Sequence, residues 1–283
     1  MYPPVQTSDP TAVEVEVQAA YLEMFKDADR LFVPEVFGWA IDCFTGRHPN
    51  YQAVDARYHD FEHTLQGTLC MVRLLLGRHR AGDQPVLTRE TFELGLLAIL
   101  LHDSGYLKKR ADTGGTGAKY TITHVARSAD FAAEFLKLKG FTQAQIASVQ
   151  SMIRCTGVTT KPSAIPFPSD AEKITGFALA TGDILGQMAA DDYVEKLPIL
   201  YLEFVEAAQF SGDKKHFVAS FQSAGDLIEK TPSFWEKVIR LKIEREFSGL
   251  YRFLSLPYPS GPNPYIQKIE SNMDRLKRKL VPA

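Results

Sequence analysis

Apolar residues recur at helical spacing along nearly the whole chain, and no run of β-branched residues alternates with polar ones. A chain patterned this way can bury its apolar stripes only by packing helix on helix, so the expected fold class is all-α. Val13 to Phe25 and Pro34 to Phe44 read as short amphipathic helices. Asp60 is placed to cap a helix reaching about Arg78, with Phe61, Leu65, Leu69, Val72 and Leu76 as its buried stripe. Thr88 is placed to cap the helix that ends at His102-Asp103, and Gly105 to stop it. Thr123 and Thr142 open two further helices, and another carries Asp183. Helices are then expected over Tyr193 to Phe210, Lys215 to Glu229, Ser233 to Leu254 and Pro264 to Leu280. The polar, glycine-rich segment 108–120 reads as a mobile loop. No internal repeat is visible, and the Pro-rich stretch 258–264 leaves too little chain after it to fold alone. One domain over 1–283 is therefore expected, with a core at about 50–190 and a helical extension at about 191–283.

Composition excludes several functions. Hydrophobic residues at 45% and charged ones at 23% suit a folded globular chain rather than a disordered one. A formal net charge of −2 without long like-charged blocks gives no footprint for duplex nucleic acid or an acidic membrane. The strongest apolar stretch, Leu94 to Leu101, is closed by His102 and is far short of the roughly 20 residues a spanning helix needs. The N-terminus has neither the positive nor the apolar region of a secretory signal. Cys43, Cys70 and Cys155 are odd in number and lack paired metal spacing, which fits reduced thiols in a cytoplasmic protein.

The chemistry concentrates in a few polar residues inside this apolar pattern. His102 and Asp103 end the run LGLLAILLHD, and Asp183 lies in the small and apolar segment ITGFALATGDILGQMA. Burying such groups without partners is costly, and the local sequence offers Asp183 no cation. Taken singly, His63 reads as an ordinary helix-start histidine, His102-Asp103 as a charged helix end, and Asp183 as a cap at a misjudged boundary. Together, two imidazoles and two carboxylates form a mixed N/O ligand set suited to magnesium, manganese, iron, nickel or zinc, with coordination positions left open. His124 reads as a ligand, a substrate contact or a plain helix-start histidine. Lys108 begins a charge run that is either solvated or aimed at phosphate. Gln187, one turn after Asp183, is placed to face substrate.

The order His63, His102-Asp103, Asp183, each on its own helix, resembles the HD-domain superfamily of metal-dependent phosphohydrolases. The segment RYHDFEHTL also resembles the Y-H-N-x-x-H start of cyclic-nucleotide phosphodiesterases, with Asp60 in place of asparagine. The resemblance covers residues 50 to 190, about half the chain, and implies an HD-type helical bundle with additional C-terminal helices. It implies that His63, His102, Asp103 and Asp183 bind a first divalent metal and that Asp103 bridges to a second. It further implies that His59 protonates the leaving oxygen while metal-activated water attacks, with Asp103 and His59 as the catalytic pair. The implied substrate is a small phosphate ester, a nucleotide or cyclic nucleotide above all. One departure is Tyr106, which stands where the phosphodiesterases place the histidine of D-x-x-H. The rivals are a di-iron oxygenase resembling myo-inositol oxygenase and a non-catalytic metal and nucleotide sensor.

Overall fold

A computed structural model describes residues 2–157, 160–211 and 221–279. Among them the protein is all-α, with one isolated antiparallel bridge between Tyr51 and Lys109. The helices are α1 (Pro10–Met24), α2 (Phe32–Phe44), α3 (Phe61–Arg80), α4 (Arg89–Leu101), α5 (His124–Leu138), α6 (Gln143–Ile153), α7 (Asp170–Met188), α8 (Tyr193–Ser211), α9 (Ala224–Phe234) and α10 (Pro264–Lys279). No helix among the described residues is long and apolar enough to cross a membrane.

The local start signals act as their chemistry requires. Asp60 accepts from the His63 amide at 2.9 Å, and Thr88 accepts from Thr91 at 3.1 Å. Thr142 and Gln145 form a reciprocal capping box. Thr123 is the exception: its hydroxyl donates back to the Tyr120 carbonyl at 3.3 Å, so α5 starts without a side-chain cap.

The core is built around α3 and α7, the most extensively packed pair of helices. The expected single stripe on α3 understates its burial. Phe61 and Leu76 are only half-buried, whereas every residue from His63 to Val72 is buried, polar Gln66 and Thr68 included. The reason is position: α1, α7 and the 3-10 turn Leu250–Leu254 pack against α3 from several sides. Three glycines set the α3–α7 separation. A Cβ at Gly67 would lie 3.2 Å from the Asp183 Cα, one at Gly182 would lie 2.8 Å from the Met71 nitrogen, and one at Gly186 would lie 2.6 Å from the Gln66 carbonyl oxygen.

Segment 108–120, expected to be mobile, is tied down. Lys108 donates to the Gly115 carbonyl at 2.7 Å, the Thr116 hydroxyl donates to Glu206 at 2.6 Å, and Lys119 and Tyr120 both bond Asp112. Its end winds into a 3-10 turn, Gly117–Tyr120. The polar composition that suggested a loose loop instead supplies the donors and acceptors that fix it.

The C-terminal helices also depart from the expected boundaries. Residues 212–220, and with them His216 and the start of the helix expected from Lys215, lie outside the described residues. The break expected between Glu229 and Ser233 does not occur: α9 passes through Pro232 and continues into two π-helical stretches, Trp235–Ile239 and Lys242–Glu246.

Candidate metal centre

His63, His102 and Asp103 form a buried group that could hold a metal ion, with ligand atoms all within 4.8 Å of one another. Asp183, outside that group, approaches both of its imidazoles. His63 Nε2 lies 3.2 Å from Asp103 Oδ2 and 3.1 Å from Asp183 Oδ1; His102 Nε2 lies 3.3 and 3.5 Å from the same two oxygens. Ligands held about 2.0–2.2 Å from one ion at right-angled to tetrahedral angles stand roughly 3.0–3.5 Å apart, so the observed spacings fit a shared cation.

Each ligand is delivered by its own piece of backbone. The Asp60 cap fixes the first turn of α3, which carries His63. The end of α4 presents His102, whose Nδ1 donates to the Ile99 carbonyl at 2.7 Å and leaves Nε2 as the coordinating nitrogen. Asp103 follows at the turn into the 3-10 segment Ser104–Tyr106. The close α3–α7 approach then brings Asp183 against His63.

Two buried atoms make the case for a cation. His102 Nε2 and Asp103 Oδ2 lie near opposite partners, yet neither makes a hydrogen bond. Lone pairs directed at a common point rather than at one another account for that geometry, and an ion there would satisfy both. Protons compete for the same positions. Burial opposes charge on His63, but the Asp103 and Asp183 carboxylates outweigh it and push the imidazole up to about 10. His102 is raised in the same way, against its burial, chiefly by Asp103. Burial likewise works against both carboxylates, while the two imidazoles hold them well below the usual range. Without an ion, the two carboxylates are balanced by protons on the two imidazoles, and a metal ion bound there would displace those protons.

Gly105 has a different role from the expected helix stop. A Cβ there would lie 2.1 Å from the His124 carbonyl oxygen, so only glycine lets the start of α5 come this close. Its amide donates to Ser128 Oγ at 2.8 Å, and Arg127 donates to its carbonyl. His124 is thereby placed beside the group, with Nε2 3.9 Å from Asp103 Oδ1 and Nδ1 donating to the Thr121 carbonyl at 2.6 Å. Burial lowers its pKa, favouring the neutral ring.

His59 joins the site edge through a residue that sequence reasoning missed. Glu203 on α8 is buried; its Oε2 accepts from His59 Nδ1 at 2.6 Å and its Oε1 from the Tyr58 amide at 2.7 Å. Burial raises the Glu203 carboxyl, but His59 and the two bonds outweigh this and lower it. Tyr106 stacks on two site imidazoles, His59 at 4.5 Å and His124 at 4.8 Å between centroids, and those two rings stand 6.1 Å from each other.

Of the expected substrate contacts, His124 and Gln187 line the cavity above the group. Gln187 is also committed below, its Nε2 3.3 Å from Asp183 Oδ1 and its Oε1 accepting from the Tyr58 hydroxyl at 2.9 Å. Lys108 stands apart from the cavity lining. It is buried, paired with Asp55 at 2.7 Å and bonded to Gly115. Asp55 lies far away in sequence, so nothing local revealed that this lysine faces inward. Lys108→Met is expected to cost about 1–2 kcal/mol in urea unfolding, discounted because Asp55 is 38% exposed, and to leave metal affinity unchanged.

No curated protein matches this chain. A family match covers residues 108–254; it holds His124, Asp183 and Glu203 and begins just past the His102-Asp103 pair. That span is more than half of the 283 residues, and the chain belongs to the Npun_R2479-like family.

Proposed function

We propose that the protein is a metal-dependent hydrolase of phosphate esters, of the HD-domain kind that the sequence resembles. The observation that carries this reading is the buried group of His63, His102 and Asp103, with Asp183 within 3.1 and 3.5 Å of its two imidazoles and two of the group's atoms unsatisfied, below a cavity of about 670 Å³. His63, His102, Asp103 and Asp183 would hold a divalent ion. Such an ion supplies Lewis acidity and lowers the pKa of water enough to yield hydroxide near neutral pH.

The remaining residues serve orientation and proton transfer. Glu203, which can only accept as a carboxylate, fixes the His59 tautomer with the proton on Nδ1. Nε2 is then the nitrogen left to exchange a proton with a leaving oxygen at the cavity floor. Tyr106, stacked against the ring, limits its rotation. Tyr58 and Gln187 hold Asp183 in place from the cavity side.

His59→Gln is expected to retain metal and lose at least about 100-fold in kcat, the lower bound for a general acid. Near-normal turnover would remove His59 from the reaction. The wider test joins metal analysis to a screen of phosphate esters with magnesium, manganese, nickel, iron and zinc. A protein that binds metal tightly and releases phosphate from none of them would reject the hydrolase reading. A dimetal oxygenase is the second reading, favoured by His124 standing beside Asp103 as a further imidazole. Oxygen consumption by the iron-loaded protein would support it, and none would discard it.

A further inference from the structure

The cavity above the metal group has two chemically different ends. Its polar side chains gather at the metal end: Tyr58, His59, His124, Gln187 and Tyr193. Tyr193 is close enough to Tyr58 to add to the effect of burial in raising the Tyr58 hydroxyl. Away from the metal the wall changes to Leu197, Leu200 and Phe204 of α8, Leu227 and Phe234 of α9, and Ile239 of the π-helical stretch. Leu197, Phe204, Leu227 and Ile239 are buried, so this is a mainly apolar lining, with Thr231 and Lys242 among it.

Three hydroxyls of the cavity lining are already committed. Thr231 donates to the Leu227 carbonyl at 2.7 Å, Thr156 to the Ile153 carbonyl at 2.9 Å, and Thr121 to the Ala118 carbonyl at 2.7 Å. Phe204 and Phe221 stack on each other with centroids 5.9 Å apart. Among the described residues, the carboxylates and carboxamides facing the cavity are Asp103, Asp183 and Gln187, and all three belong to the metal end. The apolar side chains of that wall, among the described residues, offer a nucleobase and a ribose diol no hydrogen-bond partners, and burying such groups unpaired is costly. Arg154 and Lys161 line the cavity and are exposed, forming a cationic rim that steers an anionic head inward. Val238 lines it too at 43% exposure, so the rim is also partly apolar. Val238, Ile239 and Lys242 all reach the cavity from the π-helical region, whose distorted turns commonly mark functional sites.

We infer that the substrate is an amphiphilic phosphomonoester, with its phosphate at the metal group and an alkyl or aryl body along the α8–α9 wall, and not a nucleotide. This rests on the hydrolase reading of the metal end. The reaction is balanced without a redox partner: water supplies the oxygen that bonds to phosphorus and the ester P–O bond breaks. The leaving oxygen keeps the bonding electrons and takes a proton, giving an alcohol and inorganic phosphate.

The test uses the metal-loaded full chain with ethyl, butyl, hexyl and octyl phosphate, the matching non-hydrolysable alkylphosphonates, and adenosine monophosphate. The phosphonate Kd should tighten and kcat/KM rise roughly two- to fourfold per added methylene, until the wall is filled. Adenosine monophosphate should fall below the longer alkyl esters. Val238→Asp should flatten the chain-length slope, with metal content checking that the variant folds. Tightening with chain length but no phosphate release from any ester would keep the amphiphile assignment and overturn the hydrolase reading. Hydrolysis of adenosine monophosphate with no chain-length dependence would keep the hydrolase reading and overturn the amphiphile. Phosphonates that fail to bind at any length would overturn it as well.

Discussion

Gly186→Ala is expected to destabilise the protein by about 1–2 kcal/mol, the reverse of what helix propensity alone gives. Alanine in a helix interior is favoured over glycine by roughly 0.5–1 kcal/mol. Here the added Cβ would lie 2.6 Å from the Gln66 carbonyl oxygen and 2.7 Å from the Gly67 nitrogen. Both contacts are backbone on a buried helix, so neither atom can rotate away, and overpacking of this kind costs about 1–3 kcal/mol. Valine would raise the cost to about 3 kcal/mol and push α7 off α3, lengthening the 3.1 Å separation of His63 from Asp183. Metal stoichiometry should therefore fall along with the urea midpoint. Gly38→Ala is the control: it sits within α2 with nothing within 4 Å of its added Cβ, and should stabilise by about 0.5–1 kcal/mol. If Gly186→Ala also stabilises, the close α3–α7 approach does not set the geometry of the metal centre.

What was legible in the sequence was whatever short-range chemistry determines. Asp60, Thr88 and Thr142 cap their helices because a side-chain oxygen next to an apolar-periodic run has few better uses. His102, Asp103 and Asp183 stood out because they sit in apolar segments without local partners, whereas His63 reads singly as a helix-start histidine and joins them only through their order along the chain. Glu203 was not legible. In YLEFVEAAQ it reads as one polar position on an amphipathic helix, and only the packing of α8 brings it behind His59. Lys108 failed for the mirror reason: it opens a charge run that looks solvated, and its partner Asp55 comes from a distant loop. Gly105 read as a helix stop because the approach that requires it comes from His124. The π-helical wall was invisible too, since Thr-Pro-Ser at 231–233 carries the composition of a break while α9 runs through it.

Asp103→Asn is expected to remove metal binding while sparing the fold. Asparagine matches the shape of aspartate, so the packing around a 1% exposed side chain is kept and the charge alone is lost. Asp103 Oδ2 faces both His63 and His102, and Oδ1 faces His124, so this carboxylate is the common element of the site. Removing an outer partner of a metal ligand already costs roughly 10–100-fold in affinity, and a direct ligand should cost more. Thermal denaturation separates this from general damage. A divalent ion at about 100 times its Kd stabilises the native state by about 2.7 kcal/mol, a rise in Tm on the order of 5 °C for a chain of this size. That rise should vanish in Asp103→Asn, and the metal-free Tm should fall as well, because Asp103 is one of the two carboxylate partners of the buried His63 and His102; the metal-dependent increment is therefore the readout. His124→Gln, lying 3.9 Å from Asp103 on the opposite side, should keep most of the rise if one ion binds at the His63 side. A full metal-dependent rise in Asp103→Asn would place the cation elsewhere and sink the proposed centre.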